Sequence, residues 1–240
     1  VSAVEHQFGD NRPGDPTPEA PEPPANSPLI GWLSQTDEAT TVIMLRHGVT
    51  RFTIDKRFSG PGGAEDPGLT DEGWAQASRA AELIKADGGV DAVLASPLRR
   101  TQETAEAVAG ALAMPVRTVP DFRECAFGDW DGLTFEEVMG RWPGELEAWL
   151  GSVEMRPPGG ESLVDVQQRV ESELGAVIEA YRGRTLLVVS HVTPIKLAVR
   201  YALDMPLPSI NRMQLAPASL TTVSFYESGA STLRQFSAIP

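Results

Sequence analysis

Two segments of this chain repeat one pattern, in which a short apolar run is followed by a polar residue and then a histidine. They are VIMLRH at residues 42–47 and LLVVSH at residues 186–191. Continuous apolar runs are typical of strands in a parallel sheet covered on both faces, and such strands deliver their last residues to a ligand crevice. Only three histidines occur in the sequence. We therefore expect His47 and His191 to share one site, and the neighbouring Arg46 indicates an anionic ligand.

The rest of the chain alternates strand-like and helix-like segments. This order predicts the α/β class, as a three-layer sandwich with a mostly parallel central sheet and helices on both faces. Two helices are predicted to open where a capping hydroxyl residue precedes proline, at Ser96-Pro97 and at Thr193-Pro194. Further helices are predicted over about 134–150 and 162–181. After Met205, the segments NRMQLA, SLTTVSFY and STLRQFS are predicted as strands that finish the sheet in antiparallel fashion.

The start of the chain differs from the remainder in composition. Residues 1–38 are dense in proline and acidic residues and have no apolar periodicity. Such a segment cannot bury enough apolar surface to fold, so we predict a disordered linker over residues 1–38 and a folded domain over residues 39–240. A linker of this kind often joins a folded domain to another one.

Charge and cysteine content restrict the function classes. The formal net charge of −13 argues against direct nucleic-acid binding and against a membrane-binding surface, because either needs a basic patch. A single cysteine excludes an internal disulfide, which favours a reducing cytoplasm. No apolar run is long enough to span a bilayer and no secretory signal is visible.

Four short motifs occur in a fixed order along the predicted domain. LRHG lies at residues 45–48, SPLRRTQETAE at 96–106, FRECAFGDWDGLT at 122–134 and VVSH at 188–191. An imidazole is a competent nucleophile toward phosphorus, and a guanidinium is a planar donor for phosphoryl oxygens. Taken together, the motifs resemble those of the histidine phosphatase superfamily, the phosphoglycerate-mutase-like enzymes, over roughly residues 41–226.

The resemblance implies a catalytic set and a reaction. His47 is the nucleophile that forms a phosphohistidine, Glu124 protonates the leaving alcohol, and His191 donates to a phosphoryl oxygen in the transition state. By spacing alone the nearby acids Asp121, Asp129 and Asp131 are equal candidates for the proton donor, and it is the family match that selects Glu124. The adjacent Cys125 is interpreted as a packing residue. No metal and no cofactor are implied.

The same resemblance implies a phosphate-binding set. Arg46 and Arg100 hold the phosphoryl group, with Thr53 and Ser59 as weaker matches. Val49 and Val192 depart from the family pattern. Family members usually have glycine at the position of Val192, so we expect the valine there to narrow the pocket.

Phe127-Gly128-Asp129-Trp130 favours the phosphatase branch over the mutase branch. Within it, the chain is most similar to α-ribazole-5′-phosphate phosphatase and acid phosphatase domains, which in actinobacterial bifunctional proteins follow a ribonuclease H domain. This resemblance implies a small phosphomonoester substrate, a place in cobalamin biosynthesis and a ribonuclease H domain before this one. A cofactor-dependent phosphoglycerate mutase and a non-catalytic phospho-ligand-binding domain remain as alternatives.

Overall fold

The structure, a computed structural model, describes residues 38–240, so nearly all of the predicted linker lies outside the described residues. Its six strands are β1 (Thr40–Arg46), β2 (Ala92–Ala95), β3 (Val116–Thr118), β4 (Thr185–Ser190), β5 (Leu220–Phe225) and β6 (Ser231–Ala238). They form one sheet in the order β3-β2-β4-β1-β5-β6. The first four are parallel to one another, whereas β5 and β6 are added in antiparallel fashion beside β1. The predicted mostly parallel sheet is confirmed.

Seven α-helices connect or flank these strands in the described part of the chain. They are α1 (Arg51–Ile54), α2 (Asp71–Ala86), α3 (Arg99–Leu112), α4 (Phe135–Arg141), α5 (Glu145–Gly151), α6 (Leu163–Ala180) and α7 (Val192–Ala202). Short 3-10 turns cover Pro120–Phe122, Gly128–Trp130 and Leu207–Arg212. Four helices follow a residue whose hydroxyl accepts a first-turn N–H, namely Thr50, Thr70, Thr134 and Ser162. Within residues 38–240, no helix combines the length and the apolar character needed to cross a membrane.

The sheet is covered on both faces, as its apolar strands require. On β1, Val42 and Met44 pack into a core that includes Leu174 of α6 and Ile195 of α7. Leu45 points to the opposite face, into a second core that α2 and α3 supply. Alternate side chains of one strand therefore enter different cores. This arrangement is the predicted three-layer sandwich.

Both predicted helix openings before proline are wrong by two residues. Helix α3 begins at Arg99, with Leu98 at the capping position and no side-chain cap, so Ser96 does not cap it. Helix α7 begins at Val192, with His191 at its capping position. Ser96 lies in the turn between β2 and α3, whereas Thr193 already lies in the first turn of α7.

Two other predicted elements also differ from the structure. The single helix expected over 134–150 is two helices, α4 and α5, because Pro143-Gly144 interrupts it and Gly144 adopts a left-handed φ of 86°. The segment NRMQLA is not a strand: its first residues belong to a 3-10 turn. The following two segments form β5 and β6 as predicted.

Candidate active site

His47 and His191 lie at the ends of the adjacent strands β1 and β4. Because β1 and β4 are parallel neighbours, with Arg46 opposite Ser190, the next residue on each strand reaches the same edge of the sheet. The two imidazole centroids are 5.3 Å apart and the rings are inclined by 59°. Both side chains are buried. The two histidines thus converge on one place, as the repeated sequence pattern predicts.

Two hydrogen bonds fix the tautomer of His47. Its Nδ1 lies 2.8 Å from the carbonyl oxygen of Gly48, which only accepts, so Nδ1 carries the hydrogen. On the other side, Nε of Arg100 donates to Nε2 at 3.2 Å. Burial lowers the pKa of His47 well below 6.5, and the charges of Arg100 and Arg46 lower it further. His47 is therefore neutral, with a lone pair on Nε2.

His191 is held by a hydroxyl group from a third strand. The Oγ of Ser96, which follows β2, lies 2.7 Å from Nε2 of His191. The same oxygen accepts weakly from the N–H of Leu98 at 3.5 Å, and Nε2 is the one acceptor for the hydroxyl hydrogen of Ser96 among the described residues, so we assign that hydrogen to the bond with Nε2. Nδ1 of His191 then carries the ring hydrogen, and this buried atom has no partner among the described residues. Burial also lowers the pKa of His191 well below 6.5, so it is a neutral donor rather than an imidazolium.

Arg100 and Arg46 bring two guanidinium groups to the histidines. Arg100 is 1% exposed; its Nη2 donates to the carbonyl oxygen of Ser59 at 2.7 Å, and its Nη1 lies 3.6 Å from a carboxylate oxygen of Asp66. Burial lowers its pKa to about 10, so it keeps its charge at neutral pH. Arg46 donates through Nη1 to the carbonyl oxygen of Leu215. Nη1 of Arg100 and Nε of Arg46 are buried without a hydrogen-bond partner among the described residues, which leaves donors for an anion.

Glu124 presents one of its two carboxyl oxygens to backbone donors. Oε1 accepts from the N–H of Cys125 at 2.9 Å and from the N–H of Thr193, in the first turn of α7, at 3.3 Å. With Oε1 occupied in this way, Oε2 is the oxygen that can carry an acidic proton. Cys125 itself is fully buried, and burial raises the pKa of its thiol, so it does not serve as a nucleophile.

A cavity of about 390 Å³ opens onto these groups. Six of the seven predicted site residues line it, namely Arg46, His47, Thr53, Ser59, Arg100 and Glu124. His191 is not among the lining residues, although its ring centroid lies 5.3 Å from that of His47. The hydroxyl of Ser59 is buried without a partner among the described residues, whereas that of Thr53 is engaged with Thr50 in a capping box. Thr53 is therefore less available to a phosphate than the sequence match implies.

The cavity walls combine positive charge with aromatic surface. Five basic side chains line it against the single acid Glu124, although the whole chain is acidic. The basic residues are Arg46, Lys56, Arg57, Arg100 and Lys196. The aromatic ones are Phe52, Phe58, Phe127, Phe135 and Trp149. The lining therefore combines an excess of positive charge with apolar surface, which suits an anionic ligand that also carries an apolar part.

Sequence reasoning missed two residues of this site. Ser96 was interpreted as a helix cap, and no local signal distinguishes that role from its contact with His191. Lys196 is half-buried in the cavity wall, where desolvation lowers its pKa and the nearby Glu124 opposes that effect. Its sequence signal was available, since it is a lysine one turn into a mostly apolar helix that directly follows His191.

The domain pattern of the histidine phosphatase superfamily (branch 1) matches residues 42–237, which includes every motif described above. The chain belongs to the histidine phosphatase superfamily. It is 43% identical over 204 residues to the bifunctional protein Rv2228c of Mycobacterium tuberculosis, covering 85% of this chain and 55% of that protein. The chain thus spans about half the length of this curated relative.

Both mutases and phosphatases occur among the relatives. A 2,3-bisphosphoglycerate-dependent phosphoglycerate mutase of Brucella anthropi is 31% identical over 189 residues, covering 76% of this chain and 88% of the mutase. Among solved structures, the α-ribazole phosphatase of Shigella flexneri matches with a TM-score of 0.75 at 27% identity, over 84% of this chain and 98% of that one. The fold and the family are thus shared with phosphatases and with mutases.

Proposed function

We propose that this chain hydrolyses phosphate monoesters through a phosphohistidine formed at His47. The observation that carries the proposal is the Nε2 lone pair of His47, fixed by the Nδ1 contact to Gly48 and facing a cavity that Glu124 also lines. A neutral imidazole with a free lone pair is what attack on phosphorus requires. Arg100 now donates to this lone pair and must exchange that contact for a phosphoryl oxygen when substrate binds.

In the first step Nε2 of His47 attacks phosphorus, the N–P bond forms and the P–O bond to the alcohol breaks. Glu124 transfers the proton from Oε2 to the departing oxygen. In the second step Glu124, now a carboxylate, takes a proton from water as the water oxygen attacks phosphorus. The N–P bond breaks, inorganic phosphate leaves and Glu124 is again protonated.

Three further groups hold the transferring phosphoryl group in this proposal. Arg46 and Arg100 supply two positive charges, and the Nδ1–H of His191 supplies a neutral donor oriented by Ser96. Donors that are fixed before the reaction stabilise the developing charge without reorganisation. Ser59 is the remaining hydroxyl for a phosphoryl oxygen, and no step requires a metal or a cofactor.

For the leaving group we propose an α-ribazole-like alcohol, in which a sugar bears an aromatic base. The aromatic wall around Phe58 supports this choice: its ring centroid lies 4.9 Å from that of Phe127 and 4.7 Å from that of Phe135. Val192 lines the same cavity, and that it narrows the pocket for this leaving group is part of the proposal. A place in cobalamin biosynthesis follows only if this substrate is the physiological one.

We also propose that the chain is the phosphatase part of a longer protein that carries a ribonuclease H domain before it. The bifunctional relative, of which the chain covers 55%, supports this arrangement. Nucleic acid would then contact the other domain, because the acidic charge of this chain opposes direct binding.

The test is hydrolysis of p-nitrophenyl phosphate and α-ribazole-5′-phosphate by the wild type, His47→Ala and Glu124→Gln. We expect His47→Ala to lose at least ~10³-fold in rate, and a rapid-quench experiment with labelled substrate to give an acid-labile phosphoenzyme in the wild type but not in His47→Ala. Equal rates for wild type and His47→Ala would instead support a non-catalytic phosphate binder. Incubation with 3-phosphoglycerate and its bisphosphate separates the mutase alternative, since a mutase yields the isomer and a phosphatase yields free phosphate.

A further inference from the structure

The guanidinium of Arg169, on α6, is fully engaged although it lies outside the cavity. It donates to both carboxylate oxygens of Glu161 at 2.9 Å. It also donates to three backbone carbonyl oxygens, those of Asp121 at 2.7 Å, Arg123 at 2.9 Å and Glu124 at 3.0 Å. The side chain is only 11% exposed. Five charge-assisted bonds from one planar group make a rigid attachment.

The three carbonyls belong to the segment that carries the proposed acid. This segment runs from the 3-10 turn at Pro120–Phe122 to the next turn at Gly128–Trp130. The residues between the two turns belong to neither a helix nor a strand. Glu161 holds its far side, since its Oε2 accepts from the N–H of Ala126 at 3.0 Å and its own N–H donates to the carbonyl of Ala126 at 2.8 Å. The backbone is therefore fixed both before and after the Glu124 side chain.

We propose that Arg169, together with Glu161, is a positioning residue for the proton transfer by Glu124. This inference rests on the proposed function, because it assigns Arg169 the task of keeping the carboxyl group in line with the leaving oxygen. Arg169 does not line the cavity, and its hydrogen bond to a lining residue goes to the backbone carbonyl oxygen of Glu124, not to its carboxyl group. A lysine has one ammonium group and lacks the planar fork, so it cannot reach both the carboxylate and the three carbonyls.

The leaving group distinguishes a positioning role from a purely structural one. If Arg169 positions Glu124, the loss of kcat/KM depends on whether the leaving group needs a proton. Benzyl phosphate and p-nitrophenyl phosphate carry a similar ring, but benzyl alcohol must be protonated as it leaves whereas p-nitrophenolate departs without a proton. Because misplacing a catalytic group by ~1 Å costs up to ~10²-fold, we expect Arg169→Lys to lower kcat/KM for benzyl phosphate at least ~10-fold. For p-nitrophenyl phosphate we expect a loss below ~3-fold. The ratio kcat/KM reports transfer of the phosphoryl group to His47. Slow hydrolysis of the phosphohistidine therefore does not affect this ratio.

Arg200→Lys is the matched control. Arg200 is also largely buried, at 19% exposed, and also joins a glutamate and a backbone carbonyl, those of Glu171 and Met205, but it does not contact the Glu124 segment. We expect Arg200→Lys to change kcat/KM for both substrates by the same factor. Glu124→Gln should reproduce the leaving-group dependence, and the double variant Glu124→Gln/Arg169→Lys should lose no more than Glu124→Gln alone.

The outcomes separate the two proposals. If Glu124→Gln affects both substrates equally, the acid role in the proposed function fails. If Glu124→Gln is selective for benzyl phosphate while Arg169→Lys lowers both substrates by the same factor, Arg169 is only a structural residue and the positioning inference is overturned. Should Arg169→Lys not fold, Glu161→Gln, which keeps the bond from Arg169 but weakens it, is measured in its place with the same expected selectivity.

Discussion

Lowering the pH below 6.5 should destabilise this protein through the two site histidines. The buried His47 and His191 are neutral in the folded state, because desolvation, followed by the charge of Arg100, holds the pKa of each well below 6.5. In the unfolded chain both recover a pKa near 6.5 and take up a proton as the pH falls. The unfolded state then binds more protons than the folded one. Stability is fully present above about pH 6.5 and is lost as the pH decreases toward the lower folded values.

The magnitude follows from the number of protons. Each histidine that is neutral when folded and charged when unfolded contributes a limiting slope of ~1.4 kcal/mol per pH unit. For two such residues the limiting slope is ~2.7 kcal/mol per unit, and the integrated loss between about pH 6.5 and pH 5 is ~3 kcal/mol. Burial raises the pKa of Asp131 and ion pairs lower that of Asp165, but these act nearer the ordinary carboxylate range. The histidines therefore dominate this window.

Urea unfolding at a series of pH values between about 7 and 5 measures this slope. The buffers must contain no phosphate, because a bound anion would stabilise protonated histidines. His47→Asn should remove about half of the slope, and His47→Asn/His191→Asn most of it. A wild-type free energy of unfolding that stays constant between pH 6.5 and pH 5 would refute the conclusion that both rings are neutral in the folded protein.

Substitutions at three further positions have definite expected outcomes. Ser96→Ala should lower kcat/KM at least ~10-fold on a phosphomonoester, because His191 loses the bond that sets its tautomer. Ser96→Thr, which keeps the hydroxyl, should retain more activity. Gly48→Ala should cost at least ~2 kcal/mol in a urea melt, since a Cβ there would lie 2.5 Å from the carbonyl oxygen of Gly73; an unchanged midpoint would contradict this. Val192→Gly should raise kcat/KM for bulkier esters relative to p-nitrophenyl phosphate, and an unchanged ratio would show that Val192 does not narrow the cavity.

The sheet and the paired histidines were predictable because their signals are local. A continuous apolar run, its length and the residue after it are all read from six neighbouring positions, and β1 and β4 form where these runs occur. The break between α4 and α5 had a local signal too, in Pro143-Gly144, and the single helix predicted there overlooked it.

Other features depend on which strands become neighbours. Ser96 reaches His191 because β2 lies next to β4, where the N–H of Ser96 donates to the carbonyl oxygen of Val189 at 3.0 Å. Nothing within a few residues of Ser96 specifies that neighbour. Arg169 is similar: its position on α6 reads as an ordinary polar residue of an amphipathic helix, and its five bonds exist only after the Glu124 segment has packed against it.

The 5.3 Å between the two imidazoles is close to the ~4.8 Å that separates adjacent strands in any sheet. The backbone hydrogen bonds between β1 and β4 therefore set the distance between His47 and His191. Insertions in the connecting loops would alter the cavity walls around the two histidines but leave the distance between the two strands unchanged. Deleting one residue inside either strand would turn its histidine to the opposite face and abolish the pair at once. We therefore expect sequence changes that alter substrate specificity to occur in the loops and at the helix starts, and not within β1 or β4.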